Sequence, residues 1–193
     1  MRTEARGLRN PYGLAFVPGT GRLLVSEHGR DDLGPSRPPE ELNLIRTGGR
    51  PRWYGFPECW GQGGAPCRGA EPPLVRMRAH SAPGGVAVAE RFGRWGPSAF
   101  VARFGAPGDL LRISLRSGRA HRFATGFGGA EALGLALGPD GALYVTRWSS
   151  GRILRLVPPR SLAYRVLRIA TTAGLGLLGL RPSDLLPAGH QDE

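Results

Sequence analysis

The sequence predicts an all-β, turn-rich chain built from repeated strand–turn–strand units. Three observations carry that expectation. A short phrase occurs three times, as Gly13-Leu14-Ala15-Phe16, Gly85-Val86-Ala87-Val88 and Gly134-Leu135-Ala136-Leu137. Each copy is followed by a turn and a second apolar run: Leu23-Leu24-Val25-Ser26, Ala99-Phe100-Val101-Ala102 and Leu143-Tyr144-Val145-Thr146. Apart from the glycine that opens each repeated phrase, most of the 31 glycines and 18 prolines fall between these runs as turn punctuation. Units recurring roughly 50–70 residues apart fit propeller blades with inserted loops, about three of them.

Taken in order, residues 10–26 predict two strands joined by the Pro18-Gly19-Thr20-Gly21 turn. Residues 27–40 predict a polar loop rich in charge and proline. Glu41–Arg46 alternates, with Leu42 and Leu44 apolar around Asn43, and predicts a third strand. Gly48 to Pro73 is a long irregular excursion carrying Trp53, Tyr54, Trp60 and both cysteines, and excursions of that length are usually functional. A second strand pair is expected around 84–102, and Leu110–Leu115 alternates again. A third pair covers 133–146, divided by Pro139-Asp140-Gly141, with Gly151–Val157 closing that blade. The propeller segment is thus expected over 1–160. The tail over 161–193 is expected to be a helix followed by disorder: Leu162, Val166, Ile169 and Ala173 have helical spacing. Arg165 and Arg168 interrupt the run, so a membrane span is not expected.

The net charge is +11, and every basic residue other than histidine is arginine. Guanidinium forks suit carboxylates and phosphates, which makes nucleic acid one conceivable partner. The arginines are scattered rather than massed on one periodic face, and no helix-turn-helix or zinc-finger spacing is present, so no nucleic acid is expected. Cys59 and Cys67 cannot complete a tetrahedral zinc site by themselves. A local disulfide across the intervening loop is expected, which suits an oxidising compartment. Met1–Arg9 is charged and lacks the apolar stretch of a signal peptide.

Four pieces in a fixed order resemble the glucose/sorbosone dehydrogenase family. They are Arg9-Asn10-Pro11-Tyr12-Gly13-Leu14-Ala15-Phe16, Ser26-Glu27-His28-Gly29-Arg30, Glu40-Glu41-Leu42-Asn43-Leu44-Ile45 and Tyr54-Gly55-Phe56-Pro57. His80-Ser81-Ala82-Pro83 and Gly138-Pro139-Asp140-Gly141 extend the match over roughly residues 7–157. The resemblance implies a six-bladed propeller, of which this chain supplies a C-terminal half, about three blades. It implies hydride transfer from a small sugar or alcohol to pyrroloquinoline quinone (PQQ), with calcium as anchor and Lewis acid. By resemblance Arg9 stabilises charge on the quinone, Arg9, Asn10 and His28 contact the cofactor, and the carbonyls of Gly29 and Arg30 hold calcium. Arg103 stands where the family carries a cofactor-binding lysine. The intact family member is expected in the periplasm or outside the cell.

Two departures qualify the enzyme expectation. The family's base histidine belongs to an earlier blade, before the point where this chain begins. The last blade carries Gly129-Ala130-Glu131-Ala132 and Arg147-Trp148-Ser149 where the family has arginines and then an acidic residue. A half-ring leaves blade faces uncovered, so pairing with a missing N-terminal half or another propeller chain is expected. The alternative is a non-catalytic propeller module that binds carbohydrate or a protein partner. Glu40 and Glu41 are expected to be structural, Asp31 and Asp32 solvated, and His80-Ser81 without hydrolase chemistry.

Overall fold

Strand-forming aliphatic runs broken by glycine and proline produce a nearly all-β protein. A computed structural model describes residues 1–61 and 63–158; the expected tail, 161–193, lies outside the described residues. The strands are β1 (Ala5–Arg6), β2 (Pro11–Val17), β3 (Arg22–Glu27), β4 (Glu40–Arg46), β5 (Arg52–Trp53), β6 (Val75–Met77) and β7 (Pro83–Ala89). They continue as β8 (Ser98–Arg103), β9 (Asp109–Ser114), β10 (Ala120–Ala124), β11 (Ala132–Leu137), β12 (Leu143–Arg147) and β13 (Arg152–Leu156). Three antiparallel sheets result, ordered β2-β3-β4-β6, β7-β8-β9-β10 and β11-β12-β13, with β1 and β5 forming a small parallel pair.

Each sheet is a blade whose first strand lies innermost. The inner strands β2, β7 and β11 run side by side, which explains the repeated glycine. A Cβ on Gly13 would sit closer than 3.0 Å to the Gly84 carbonyl, and one on Gly85 closer than 3.0 Å to the Leu135 amide. Only a residue without Cβ lets backbones meet at such a hub. The same position is pinned by the neighbouring strand: the Gly13 N–H donates to Ser26 Oγ at 2.8 Å, and the Gly134 N–H donates to Thr146 Oγ1 at 2.7 Å. The Ser26 hydroxyl then donates to the Gly84 carbonyl at 2.6 Å, tying the first blade to the second.

The period of two along β8 builds both inter-blade cores. Ala99 and Val101 join Leu24, Leu42, Val86 and Ile113 toward the first blade. Phe100 and Ala102 point the other way, to Leu143 and Val145 of the third blade. With both faces covered, every residue of β8 is buried. On β2, Leu14 and Phe16 are exposed, as is Ile153 on β13.

The expected strands over 10–26, 41–46, 84–102, 110–115, 133–146 and 151–157 correspond to observed strands within a few residues. Four strands escaped expectation, among them the two-residue β1 before the first expected pair. β5 lies inside the excursion assigned as irregular, β6 is too short to show a period, and β10 is a polar, largely exposed edge strand.

Because the inner strands start together, the blades share two ends. One carries Arg9, the β3–β4 loop and the segments leading into β7 and β11. At the other, Val17 and Arg22 share a groove with Val88, Glu90 and Pro97 of the second blade.

Candidate functional site

The first end holds a hollow beneath the β3–β4 loop, lined by Arg9, Glu27, Gly29, Arg30, Glu41 and Trp60 among others. It encloses about 30 Å³, room for a water molecule or a single cation. Strand register brings the acids together: Glu27 ends β3 directly opposite Glu41 on β4. Asn43, two residues on, donates through Nδ2 to Glu27 Oε2 at 2.7 Å and to Glu41 Oε2 at 3.3 Å. Glu27 Oε1 accepts the Arg9 backbone N–H at 2.6 Å. The Arg9 guanidinium reaches across to the carbonyls of His28 at 3.4 Å and Gly29 at 2.5 Å. Gly29 is held from its other side, its N–H donating to Glu40 Oε2 at 2.6 Å.

Burial raises the Glu27 pKa to about 7, and the facing Glu41 pushes the same way. The Arg9 N–H, the Asn43 amide and the Arg9 charge lower it without reversing the shift. Glu41 is raised too, chiefly by burial. Like charges directly opposite on paired strands repel, so this end stores a proton near neutrality. Asn43 is fully buried, and its Oδ1 has no hydrogen-bond partner among the described residues.

A consequence for stability follows. The folded state keeps the Glu27 proton up to about pH 7, whereas the unfolded chain releases it near 4.5. Glu27 therefore lowers stability progressively as pH rises from about 4.5 to 7, by up to about 3 kcal/mol. Glu27→Gln removes the titration, and rotation of the Asn43 amide would give its unpaired oxygen to the new side-chain N–H. The expected outcome, in calcium-free buffer, is a stability difference between variant and parent that is small at pH 4.5 and grows in the variant's favour toward pH 8. Denaturant midpoints across that range check it. A difference that does not change with pH would refute the raised pKa.

The residues singled out by sequence divide as follows. Arg9, His28, Gly29 and Arg30 all line the hollow. Asn10 is exposed beside it, and its carbonyl accepts the His28 N–H at 3.2 Å. The His28 ring stacks on Tyr12 with centroids 5.4 Å apart, and its Nε2 meets the Pro83 carbonyl at 3.0 Å. Arg103 is elsewhere: buried, with both arms on Asp109 at 2.6 Å. Cys59 and Cys67 are bonded to each other, and Cys59 forms part of the wall. Asp31 and Asp32 are exposed and pair with Arg9 and Arg30. Glu40 is buried and Glu41 half-buried; they accept from backbone N–H and side-chain amide donors, and Arg76, opposite Glu41 on β6, attracts its carboxylate.

Sequence reasoning passed over Glu27 and Asn43 as site residues. The available signal was a polar residue at the centre of an apolar strand and an acid ending one. In the third blade, Glu131 gathers Arg147 at 2.9 Å, Ser150 at 3.2 Å and Ser149.

Three blades packed around inner strands, with a polar hollow where the long loops gather, define a propeller-class protein with its site at one end. The chain belongs to the glucose/sorbosone dehydrogenase family, whose model matches residues 4–155. It is 28% identical over 169 residues to the aldose sugar dehydrogenase YliI of Escherichia coli K12, covering 79% of this chain and 43% of that protein. Among solved structures it resembles the soluble E. coli aldose sugar dehydrogenase in its apo-form, with a TM-score of 0.60, 25% identity and coverage of 79% and 46% of the two chains. It also resembles a glucose dehydrogenase, with a TM-score of 0.62, 30% identity and coverage of 81% and 45%. The chain thus spans less than half the length of these relatives. A Trichoderma reesei enzyme of carbohydrate-active family AA12, at 20% identity and a TM-score of 0.64, shares the fold.

Proposed function

We propose that this chain supplies part of a PQQ- and calcium-dependent sugar dehydrogenase site, acting on a small sugar or alcohol in an oxidising compartment outside the cytoplasm. The observation that carries this is the convergence of Arg9, His28, Gly29 and Arg30 on one hollow. The donor set fits both groups. The cationic fork of Arg9 and the exposed Asn10 form a rim suited to a carboxylate edge of a planar tricarboxylate, while the Arg30 fork is held in a two-point contact by Asp32. The hollow is too small for such a ring but suits an oxygen-seeking cation, with the Gly29 carbonyl and the Glu27 and Glu41 carboxylates in its walls. The Gly29 carbonyl accepts from Arg9, so a cation there requires the guanidinium to swing away. Released, Arg9 keeps its backbone N–H on Glu27 and gains a free fork for negative charge developing at the rim.

When bound, PQQ supplies an ortho-quinone that accepts hydride. This chain's residues bind, orient and hold protons. Arg9 positions the negative edge, the Tyr12–His28 stack holds the imidazole against Pro83, and Glu27, which keeps a proton up to about pH 7 in the cation-free chain, would release it to a bound cation. No helix among the described residues is long and apolar enough to cross a membrane, and the Cys59–Cys67 bond suits an oxidising compartment.

Titration of the chain with PQQ in the presence of calcium is expected to change the quinone absorbance and to saturate. Arg9→Ala should weaken that binding about tenfold to a hundredfold, the worth of one charged hydrogen-bonding contact. Absence of saturable binding overturns the proposal. A second reading, a non-catalytic carbohydrate- or protein-binding module, is favoured by the commitment of Arg103 and Arg147 to Asp109 and Glu131. Saturation without sugar-dependent dye reduction supports it.

A further inference from the structure

The end opposite the hollow is built from short turns, and its charge is one-sided. Arg22, Arg46, Arg50, Arg91, Arg116 and Arg119 are all exposed there, on turns or strand ends of the first two blades. Among the described residues, none of the six has a carboxylate within ion-pair distance. Carboxylates near these turns are matched by other arginines: Glu4 by Arg2, Glu71 by Arg52 and Asp140 by Arg155. That leaves Glu90 facing the group. By contrast, Glu27, Asp31, Asp32, Glu40, Glu41 and Asp109 gather at the other end.

Stability does not explain this arrangement. Arg22 and Arg46 are directly opposite each other on β3 and β4, a placement of like charges that weakens a sheet. Arg46, Arg50 and Arg52 line an open cleft of about 380 Å³. An anion seated between the forks would relieve the repulsion.

We propose that this end docks an acidic polysaccharide, its carboxylates held by the arginine forks. Three observations choose this polyanion. The turns that carry the arginines bear no exposed large apolar side chain, and Phe16, Leu137 and Val157 stand singly on or just past three separate strand ends, so contact through these turns is by charge rather than by apolar insertion. Trp95, in the β7–β8 turn, is half-buried and already engaged by the Arg94 and Arg112 guanidinium groups at 5.2 and 5.0 Å and by a stacked Phe92, so its ring is occupied rather than presented for stacking nucleic-acid bases. The disulfide suits an oxidising compartment outside the cytoplasm, where nucleic acid is not the usual polyanion. The inference does not depend on the dehydrogenase proposal, because the two sites are at opposite ends.

The test uses the full chain and polygalacturonate as probe, followed by fluorescence anisotropy. Saturable binding is expected at low ionic strength and lost at about 1 M salt, where the Debye length is about 3 Å. The triple variant Arg46→Ser, Arg116→Ser, Arg119→Ser should bind about tenfold more weakly. The variant Arg68→Ser, Arg78→Ser, Arg152→Ser, which removes the same charge elsewhere, should bind within about twofold of the parent. A measurement independent of variant folding is protection of Arg46, Arg116 and Arg119 from phenylglyoxal by polygalacturonate in the parent chain. The proposal is overturned by absence of binding, by equal losses in the two triple variants, by absence of protection, or by tighter binding of duplex DNA than of polygalacturonate.

Discussion

Asp109→Ala is expected to cost about 3–5 kcal/mol of folding stability, the range found when one partner of a buried ion pair is removed. Asp109 is 1% exposed and holds both arms of Arg103, itself buried, while Arg122 adds a third contact at 2.9 Å from the surface. Removing the carboxylate strands the buried Arg103 charge on the face of β8 and β9 that also carries Val101 and Leu111. Arg103→Ala should cost less, about half as much, because Arg122 still neutralises Asp109 from a solvated position. Urea midpoints of both variants check the ordering. The result also decides the role of Arg103, which the family resemblance places at the cofactor. If Arg103→Ala leaves stability unchanged and abolishes PQQ binding, Arg103 is a ligand rather than a strut.

Gly85→Ala is expected to destabilise by about 3 kcal/mol or more, at the upper end of overpacking effects. Its new Cβ would collide with the Leu135 amide and lie 2.9 Å from the Gly134 carbonyl carbon, both backbone atoms of the next inner strand. Backbone at a hub flanked by two other strands cannot retreat as the tip of a side chain can. Gly134→Ala is the informative comparison. There the Cβ meets the Thr146 side chain, Oγ1 at 2.7 Å, which can rotate at the expense of one hydrogen bond. It should cost about 1–2 kcal/mol. Gly96→Ala, with nothing within 4 Å of its Cβ, should stay within about 0.5 kcal/mol of the parent. Equal losses at Gly85 and Gly96 would refute inter-blade contact as the origin of the cost, since the entropy change of Gly→Ala favours the folded state at both positions.

Much of this molecule was legible because repetition is a one-dimensional signal. The thrice-repeated glycine phrase announced three inner strands, and the apolar run after each announced the buried strand beside it. Asn43 was visible only as a polar gap between Leu42 and Leu44; its burial between two carboxylates depends on the pairing of β3 with β4. The segment Val75–Met77 was too short to show a period and became a strand because β4 offered it an unpaired edge.

The chain by itself determined its class, its blade count and the residues at its first end, because local periodicity, turn chemistry and motif order are all written along one strand at a time. Only the tertiary structure decided which charges meet. It set Glu27 against Glu41, turned Arg103 toward Asp109 and left Arg22 facing Arg46. Electrostatic partners are chosen by distance and burial in space, and strand register, which no single segment encodes, fixes both.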